Sequence, residues 1–475
     1  MTASAVPARH ACLPARMSAE LTGRLTRYTP RLSWDANELA AWQRERLRVL
    51  LAHAAGHSPF HARRLRGLEV SRFEVGDLAR LPVMTKAQMM AGFDDIVTDR
   101  QLSRRLAEQY LAGSAYRAGL LLDEYVCLVS GGSSGLRGVF VQTLGEYADF
   151  VASLIRPAYA RALAVGGPPP AALAIGIVAA ASPVHSSGFG AAVATGPPVR
   201  LIPAPATLPL AEMVARLNAA APPALLGYPS KLAELAHEKR AGRLTVAPRS
   251  VTSISELLTP ADRAVIEQGF GVPLINSFVS TEGLAGHSEP GGPVLSFASD
   301  LCLAELVDEG NNPVPAGITA AKVLVTNLHN LTQPLIRYEL TDRFTRPAGA
   351  PSVGWLRAGI EGRADEVFHY DSRSIHPHVI RSTLSGEGAV REYQVRQTEA
   401  GIDVTCVTGS HLDGEALTAR LQGALRQAGL TSPQVTLTIA EAVPRDTRTG
   451  KVRRFIPLPG QSPGQVLRPA EGPRR

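Results

Sequence analysis

Ten residues, Val129-Ser130-Gly131-Gly132-Ser133-Ser134-Gly135-Leu136-Arg137-Gly138, bring together four glycines and three serines. Glycine tolerates positive φ and lets a ligand approach the backbone closely. Successive exposed N–H groups in such a turn form an anion-binding concavity, and serine hydroxyls add donors. Polyphosphate binding is the chemistry this favours; the same stretch also suits a flexible hairpin turn. Two better-known nucleotide loops are excluded. No lysine follows the glycines as a P-loop requires. The dinucleotide fingerprint needs a helix next, whereas the apolar runs at 125–129 and 139–141 read as strands.

A second set of polar groups falls at the ends of strands. Apolar runs of strand length at 173–179, 199–203, 224–227, 251–255 and 273–276 alternate with helical spacing over 208–219 and 230–239. Thr259-Pro260-Ala261-Asp262 opens a further helix, with Thr as N-cap and Pro at the first helical position, and Gly269 to Gly271 closes it. This alternation predicts a mostly parallel sheet covered by helices. In such sheets the ligand lies outside the carboxyl ends of the strands. Those ends carry Gly227-Tyr228-Pro229-Ser230, Ser255-Glu256 and Phe278-Val279-Ser280-Thr281-Glu282-Gly283.

The flanking regions have other periods. Residues from about 35 to 115 read as helical: apolar spacing over 39–55 stops at Ser58-Pro59, and Leu81-Pro82-Val83-Met84-Thr85-Lys86 leads into a helix with Thr85 as N-cap. From about 295 to 345 the helices give way to antiparallel strands at 301–307 and 322–328, joined by a turn at Glu309-Gly310-Asn311-Asn312-Pro313. Beyond 366 a hairpin at Ala400-Gly401, a helix over 414–428 and a strand over 435–439 form a small α/β domain. The organisation expected is a disordered or weakly ordered leader (1–34), a large N-terminal domain (35–365), a small C-terminal domain (366–458) and a disordered Pro/Gly/Arg-rich tail (459–475).

Composition narrows the function classes. At 475 residues the chain is too long for one compact domain. Its arginines crowd the termini, and no internal basic run interleaves with aromatics, which argues against nucleic acid. The net charge of +7 suits an anionic substrate such as ATP or coenzyme A. Cys12, Cys127, Cys302 and Cys406 are far apart and have no metal-ligand spacing; Cys127 and Cys302 sit in apolar runs, as core residues would. The longest apolar run, 171–181, is too short to cross a bilayer and reads as a buried strand. The N-terminus lacks the apolar core of a secretory signal. A reducing cytoplasm is the expected setting, with no membrane association.

Taken in order, these segments resemble the adenylate-forming ligase superfamily, and the phenylacetate–CoA ligase branch in particular. The resemblance runs from about 39 to 458. It rests on His57-Ser58-Pro59-Phe60, Leu81 to Lys86, Gly227-Tyr228-Pro229-Ser230, the block Asn276-Ser277-Phe278 to Glu282, and Pro444-Arg445-Asp446-Thr447-Arg448-Thr449-Gly450-Lys451-Val452-Arg453-Arg454. It implies an α/β fold with parallel-sheet subdomains, a β-rich, barrel-like subdomain and a small, mobile C-terminal domain. It implies a two-step reaction: Mg²⁺–ATP and a carboxylic acid, aryl or arylacetic, give an acyl-adenylate, and coenzyme A then takes the acyl group. Ser130, Gly131, Gly132, Ser133, Ser134 and Gly135 would cover the β- and γ-phosphates. Glu256, Ser280 and Thr281 would join them at the nucleotide, Thr281 also in catalysis. Glu282 would hold Mg²⁺, a hard cation that takes one carboxylate plus phosphate oxygens. Asp342 would accept both ribose hydroxyl protons, Arg363 would assist, and Asp365 would be the hinge. Lys451, a compact and movable charge, would stabilise the negative charge shared by the α-phosphate and the attacking carboxylate. His185, Tyr228 and Phe278 would line the acid pocket, His185 orienting the carboxylate.

Departures from the family pattern keep other functions open. Leu136-Arg137 stands where Lys-Pro is usual, and Phe278-Val279 replaces the commoner Tyr-Gly. Ser372 occupies the place of a glycine that lets the pantetheine arm pass, which favours a second reading with an amine, another nitrogen nucleophile or a carrier-protein thiol as acceptor. A third reading is an inactive nucleotide-binding partner protein. The sequence leaves room for a homodimer.

Overall fold

The computed structural model describes residues 12–113, 117–130, 138–164, 172–350, 354–363, 366–370, 373–375, 377–385, 387, 389–447 and 449–458. The chain divides into two compact units, one of residues 1–361 with 447–451 and one of 362–446 with 452–475. The expected tail, 459–475, lies outside the described residues.

The first unit is built on strands β1 (Tyr125–Val129), β2 (Val139–Thr143), β3 (Leu173–Val178), β4 (Thr195–Gly196), β5 (Val199–Pro203), β6 (Ala224–Gly227), β7 (Ser250–Ile254), β8 (Leu274–Val279), β9 (Ala285–Ser288), β10 (Leu295–Phe297), β11 (Cys302–Val307), β12 (Lys322–Asn327), β13 (Tyr338–Leu340), β14 (Asp342–Thr345) and β15 (Arg357–Arg363). Ten of them form one sheet in the order β14-β15-β10-β9-β8-β7-β6-β3-β5-β4. The run β5-β3-β6-β7-β8 is parallel throughout, as the strand–helix alternation predicts. Antiparallel strands extend both edges.

Two different cores cover this sheet because successive side chains point to opposite faces. Val178, Leu225, Val251 and Leu274 pack beneath the helices Leu210–Ala220, Pro229–Arg240 and Pro260–Phe270. Thr259 caps the last of these, accepting from the Asp262 N–H at 3.0 Å, and Gly271 ends it at φ +70°. The opposite face looks toward the 21-residue helix Leu144–Ala164, which none of the sequence expectations included.

The β1–β2 hairpin flanks the Gly/Ser stretch, both runs being strands as expected. It is buried on both sides: Cys127 and Val129 face one core, Val126 and Leu128 another. The β-rich region takes a form other than a barrel-like subdomain of its own. Strands β11-β12-β13 make a three-stranded sheet, while β10, β14 and β15 continue the edge of the large sheet.

The leader also needs correction. Leu13–Tyr28 is a 16-residue helix with Met17, Leu21 and Leu25 at 0–1% exposure. Its apolar residues recur every four positions, so one stripe packs against Tyr147, Phe150 and Phe189, and Arg24 beside it pairs with Asp149 of the long helix at 2.6 Å. The abundance of arginine concealed that stripe.

The second unit contains β16 (Phe368–Tyr370), β17 (Arg373–Ile375), β18 (Val390–Gln397), β19 (Gly401–Thr408), β20 (Gln434–Ile439) and β21 (Phe455–Ile456). Its four-stranded sheet, β20-β19-β18-β21, shares a core with the helices Pro377–Ser385 and Gly414–Gln427. The hairpin, helix and strand expected at 400–439 are all present. No helix among the described residues is long and apolar enough to cross a membrane.

Candidate active site

Because β3, β6, β7 and β8 run parallel, their carboxyl ends bring three sequence-distant segments to one edge. Tyr228 follows β6 and is fully buried; its hydroxyl accepts from the Ala180 N–H at 2.9 Å, which pins it to the end of β3. Glu256 follows β7 through Ser255 at φ +65°, and its Oε2 accepts from the Ser230 N–H at 3.3 Å. That bond satisfies a donor in the first turn of the helix Pro229–Arg240.

The turn after β8 is closed by Ser280, whose N–H donates to the Leu284 carbonyl and whose Oγ accepts from the Leu284 N–H at 3.3 Å. Gly283 adopts φ +106°, and a Cβ there would lie 2.2 Å from Asn327 Nδ2. The same Asn327 amide donates to the Glu282 carbonyl at 2.9 Å. Glu282 is thus held, buried, at a fixed place, and its charge adds to burial in pushing the Cys302 thiol up.

His185 stands at the N-cap position of the helix Ser186–Val193 and is tethered through both neighbours. The Val184 carbonyl accepts from the Val129 N–H at 2.8 Å, and the Ser186 carbonyl from the Tyr147 hydroxyl at 3.0 Å. The first of these bonds joins the histidine segment to the strand that leads into the Gly/Ser stretch. Ser130 closes the base of that stretch, its Oγ accepting from the Gly138 N–H at 3.0 Å. Gly131, Gly132, Ser133, Ser134 and Gly135 lie outside the described residues, as do Asp365 and Ser372.

Residues 447–451 belong to the large unit. Gly450, at φ +73°, crosses so close to Ala206 that a Cβ would meet its backbone at 2.9 Å. This left-handed turn sets the Lys451 Nζ 5.5 Å from the centroid of the Tyr228 ring. Lys451, Thr449, Thr281, His185 and Tyr228 all line one cavity of about 820 Å³. Glu256, Glu282 and Asp342 do not line it; Asp342, buried, opens β14 at the far edge of the sheet. Arg363 ends β15 and belongs to the second unit.

Phe278 does not line that cavity. Its neighbours Ser277 and Val279 line the cavity, so strand alternation turns Phe278 to the other face of β8. There it packs edge-on to Phe344 at 5.0 Å between centroids and against Phe297 at 6.1 Å.

In structure the chain is similar to 2-hydroxyisobutyryl-CoA ligase in the postadenylation state, in complex with R3-HIB-AMP, with a TM-score of 0.66 at 19% identity; the match covers 90% of this chain and 92% of that one. The same ligase in complex with 2-HIB-AMP and CoA, in the thioesterification state, gives a TM-score of 0.53 at 19% identity over 90% and 91%. ATP-bound MatB from Rhodopseudomonas palustris gives 0.50 at 17% identity over 68% and 65%. The fold is similar to that of 2-hydroxyisobutyryl-CoA ligase. No protein-family model matches the chain, and no curated protein matches its sequence. At these identities the likeness is one of fold, and the chemistry rests on the residues themselves.

Thr449, in the turn that carries Lys451, also lines the cavity, and its Oγ accepts from the Lys451 N–H at 3.3 Å. Several residues at this site escaped sequence reasoning. Ser277 and His287 meet across β8 and β9, with Oγ and Nδ1 2.6 Å apart. Tyr147 and Arg161 contribute from the long helix. A stripe at helical spacing from 147 to 161 was the signal available for the last two; the Ser277–His287 pair had none, because register between strands is not local.

Proposed function

We propose that this protein activates a carboxylic acid with ATP as the acyl-adenylate and then transfers the acyl group to coenzyme A. The observation that carries the reading is Lys451 in one cavity with Thr281, His185 and Tyr228, delivered there by the left-handed turn at Gly450. In this reading a carboxylate oxygen attacks the α-phosphorus and pyrophosphate leaves. Lys451 offsets the negative charge gathering between the two reactants, His185 orients the acid, and Thr281 donates at the nucleotide. Asp342 takes the ribose hydroxyls, and the stretch from Ser130 to Gly138 takes the outer phosphates.

The residues present fit a magnesium ion brought in with the nucleotide. Glu282 is a buried carboxylate with its backbone fixed, and no cluster of three metal-ligating side chains occurs among the described residues. Mg²⁺ typically takes one or two carboxylates and completes its shell with phosphate oxygens and water. Glu282 would hold it, and it would supply charge neutralisation at the phosphates.

The test is ATP–pyrophosphate exchange over a panel of acids, followed by hydroxylamine or coenzyme A as acceptor. Lys451→Ala is expected to lower exchange by about 10²–10³, the usual cost of removing one transition-state donor. Exchange at the native rate in that variant overturns the assignment.

A further inference from the structure

The cavity is far larger than a ring-sized acid needs, and its shape identifies what it takes. A void of about 150 Å³ is enough to bind benzene; this one measures about 820 Å³. It is also long. One wall is the helix Leu144–Ala164, from which Tyr147, Val151, Ile155, Ala158 and Arg161 face inward at three- and four-residue spacing. The 14 positions from Tyr147 to Arg161 correspond to roughly 21 Å at 1.5 Å per residue. The floor is the face of the parallel sheet, where the lining extends along β8 from Val279 back to Pro273, six positions or roughly 20 Å at about 3.3 Å each. Half the hydrocarbon thickness of a bilayer, the reach of one lipid acyl chain, is roughly 15 Å.

The lining is mainly apolar between two charged ends. Lys451 stands at the carboxyl ends of the strands, and half-buried Arg161 at the amino ends, its nearby opposite charge being Glu289. Between them Leu201 on β5 and Leu226 on β6 are only half-buried, because they face the void. Two of the polar groups along the way are engaged with a side chain or with the backbone, while the buried Nε2 of His287 has no hydrogen-bond partner among the described residues. The Tyr147 hydroxyl donates to the Ser186 carbonyl, and Ser277 is bonded to His287. Burial pushes His287 down to about 4, with Arg161 and Arg156 acting in the same direction.

The geometry points to an acid with an extended, predominantly apolar chain, of dodecanoate-like length, as the substrate. Its carboxylate meets Lys451, and its chain runs beneath the helix Leu144–Ala164. This inference rests on the adenylation reading for the chemistry at the carboxylate, but not for the binding of the chain.

Two measurements separate the parts. Hydroxamate formation with ATP is compared for phenylacetate, butanoate, octanoate and dodecanoate; independently, displacement of a fluorescent anilinonaphthalene probe by dodecanoate is followed without ATP. The expected result is a kcat/KM for dodecanoate at least about tenfold above that for phenylacetate, since each added methylene buries further apolar area. Leu226→Trp, which fills the middle of the floor, and Ala158→Phe, which fills it from the helix, are each expected to cut the dodecanoate-to-butanoate ratio at least about tenfold. Phenylacetate preferred over dodecanoate, or a ratio unmoved in both variants, overturns the inference. If no acid gives a hydroxamate, the adenylation reading fails alone. Probe displacement by dodecanoate in the native protein, weakened in either variant, then upholds the chain site, and its absence removes it.

Discussion

Single residues at this site are constrained more by backbone geometry than by their side chains. Gly450 is the clearest case: φ +73° and a 2.9 Å approach to Ala206 exclude a Cβ. Gly450→Ala is expected to lower adenylation at least about tenfold, because a left-handed L-residue costs roughly 1–2 kcal/mol before the clash is counted. The same strain lowers folding stability by a similar amount, so activity lost well beyond the fraction unfolded at the assay temperature distinguishes misplacement of Lys451 from unfolding. His61 shows a different constraint. It is completely buried, and its Nε2–H donates to the Pro334 carbonyl at 3.0 Å. Burial, helped by Arg64, pushes it down to about 3. The unfolded chain takes up that proton near pH 6.5. Between these values the unfolded state binds more protons, so stability falls as pH drops through that window. His61→Gln keeps a donor for Pro334 and does not titrate. The loss in urea midpoint between about pH 7 and pH 4.5 should therefore shrink in the variant.

At the scale of elements, Asp300 ties the long helix of the cavity wall to N-terminal segments outside the cavity. It and Arg156 are 0% and 1% exposed, and they pair through two bonds of 2.6 and 2.7 Å. Arg31 adds a longer contact, and the Trp42 indole donates to the Asp300 carbonyl. The long helix, the N-terminal segments and the β10–β11 connection thus meet at one carboxylate. Asp300→Ala would strand a buried guanidinium, and the expected cost is about 3–5 kcal/mol. Asp300→Leu combined with Arg156→Met should recover most of it, which denaturant unfolding of the three forms would read. The N-terminal helix has its own measure. Leu25→Ala should cost about 2–5 kcal/mol if its stripe supports the first unit as packed, whereas a loosely attached leader would leave the midpoint unmoved.

For the whole molecule the question is how a void of about 820 Å³ is tolerated. At about 24 cal/mol per Å³ an empty, unrelaxed cavity of that size would cost on the order of 20 kcal/mol. That exceeds the roughly 5–15 kcal/mol by which a typical domain is stable. Such a space is tolerated because it opens to solvent rather than being sealed within the core. Dodecanoate at about 100 times its Kd should stabilise the protein by roughly 2.7 kcal/mol. A rise of a few degrees in the thermal midpoint, greater than that given by phenylacetate at equal concentration, would register it.

The local features follow from short-range pattern alone. Strand–helix alternation from 173 to 279, the Thr259 cap with its Gly271 stop, and the two strands around the Gly/Ser stretch were all legible, because periodicity and turn chemistry act within a few residues. The order of short motifs located Tyr228, Thr281, His185 and Lys451, which share a cavity in the structure. The remaining features depend on how elements distant in sequence come together. The Ser277–His287 pair needed the β8–β9 register, and the face presented by Phe278 needed to be known relative to a helix more than a hundred residues away in sequence. The apolar stripe of Leu13–Tyr28 acquired meaning only from the helix it packs on. The cavity belongs to no segment: it is the gap left where half-buried leucines of one sheet face fail to meet one helix, and no local pattern encodes a gap.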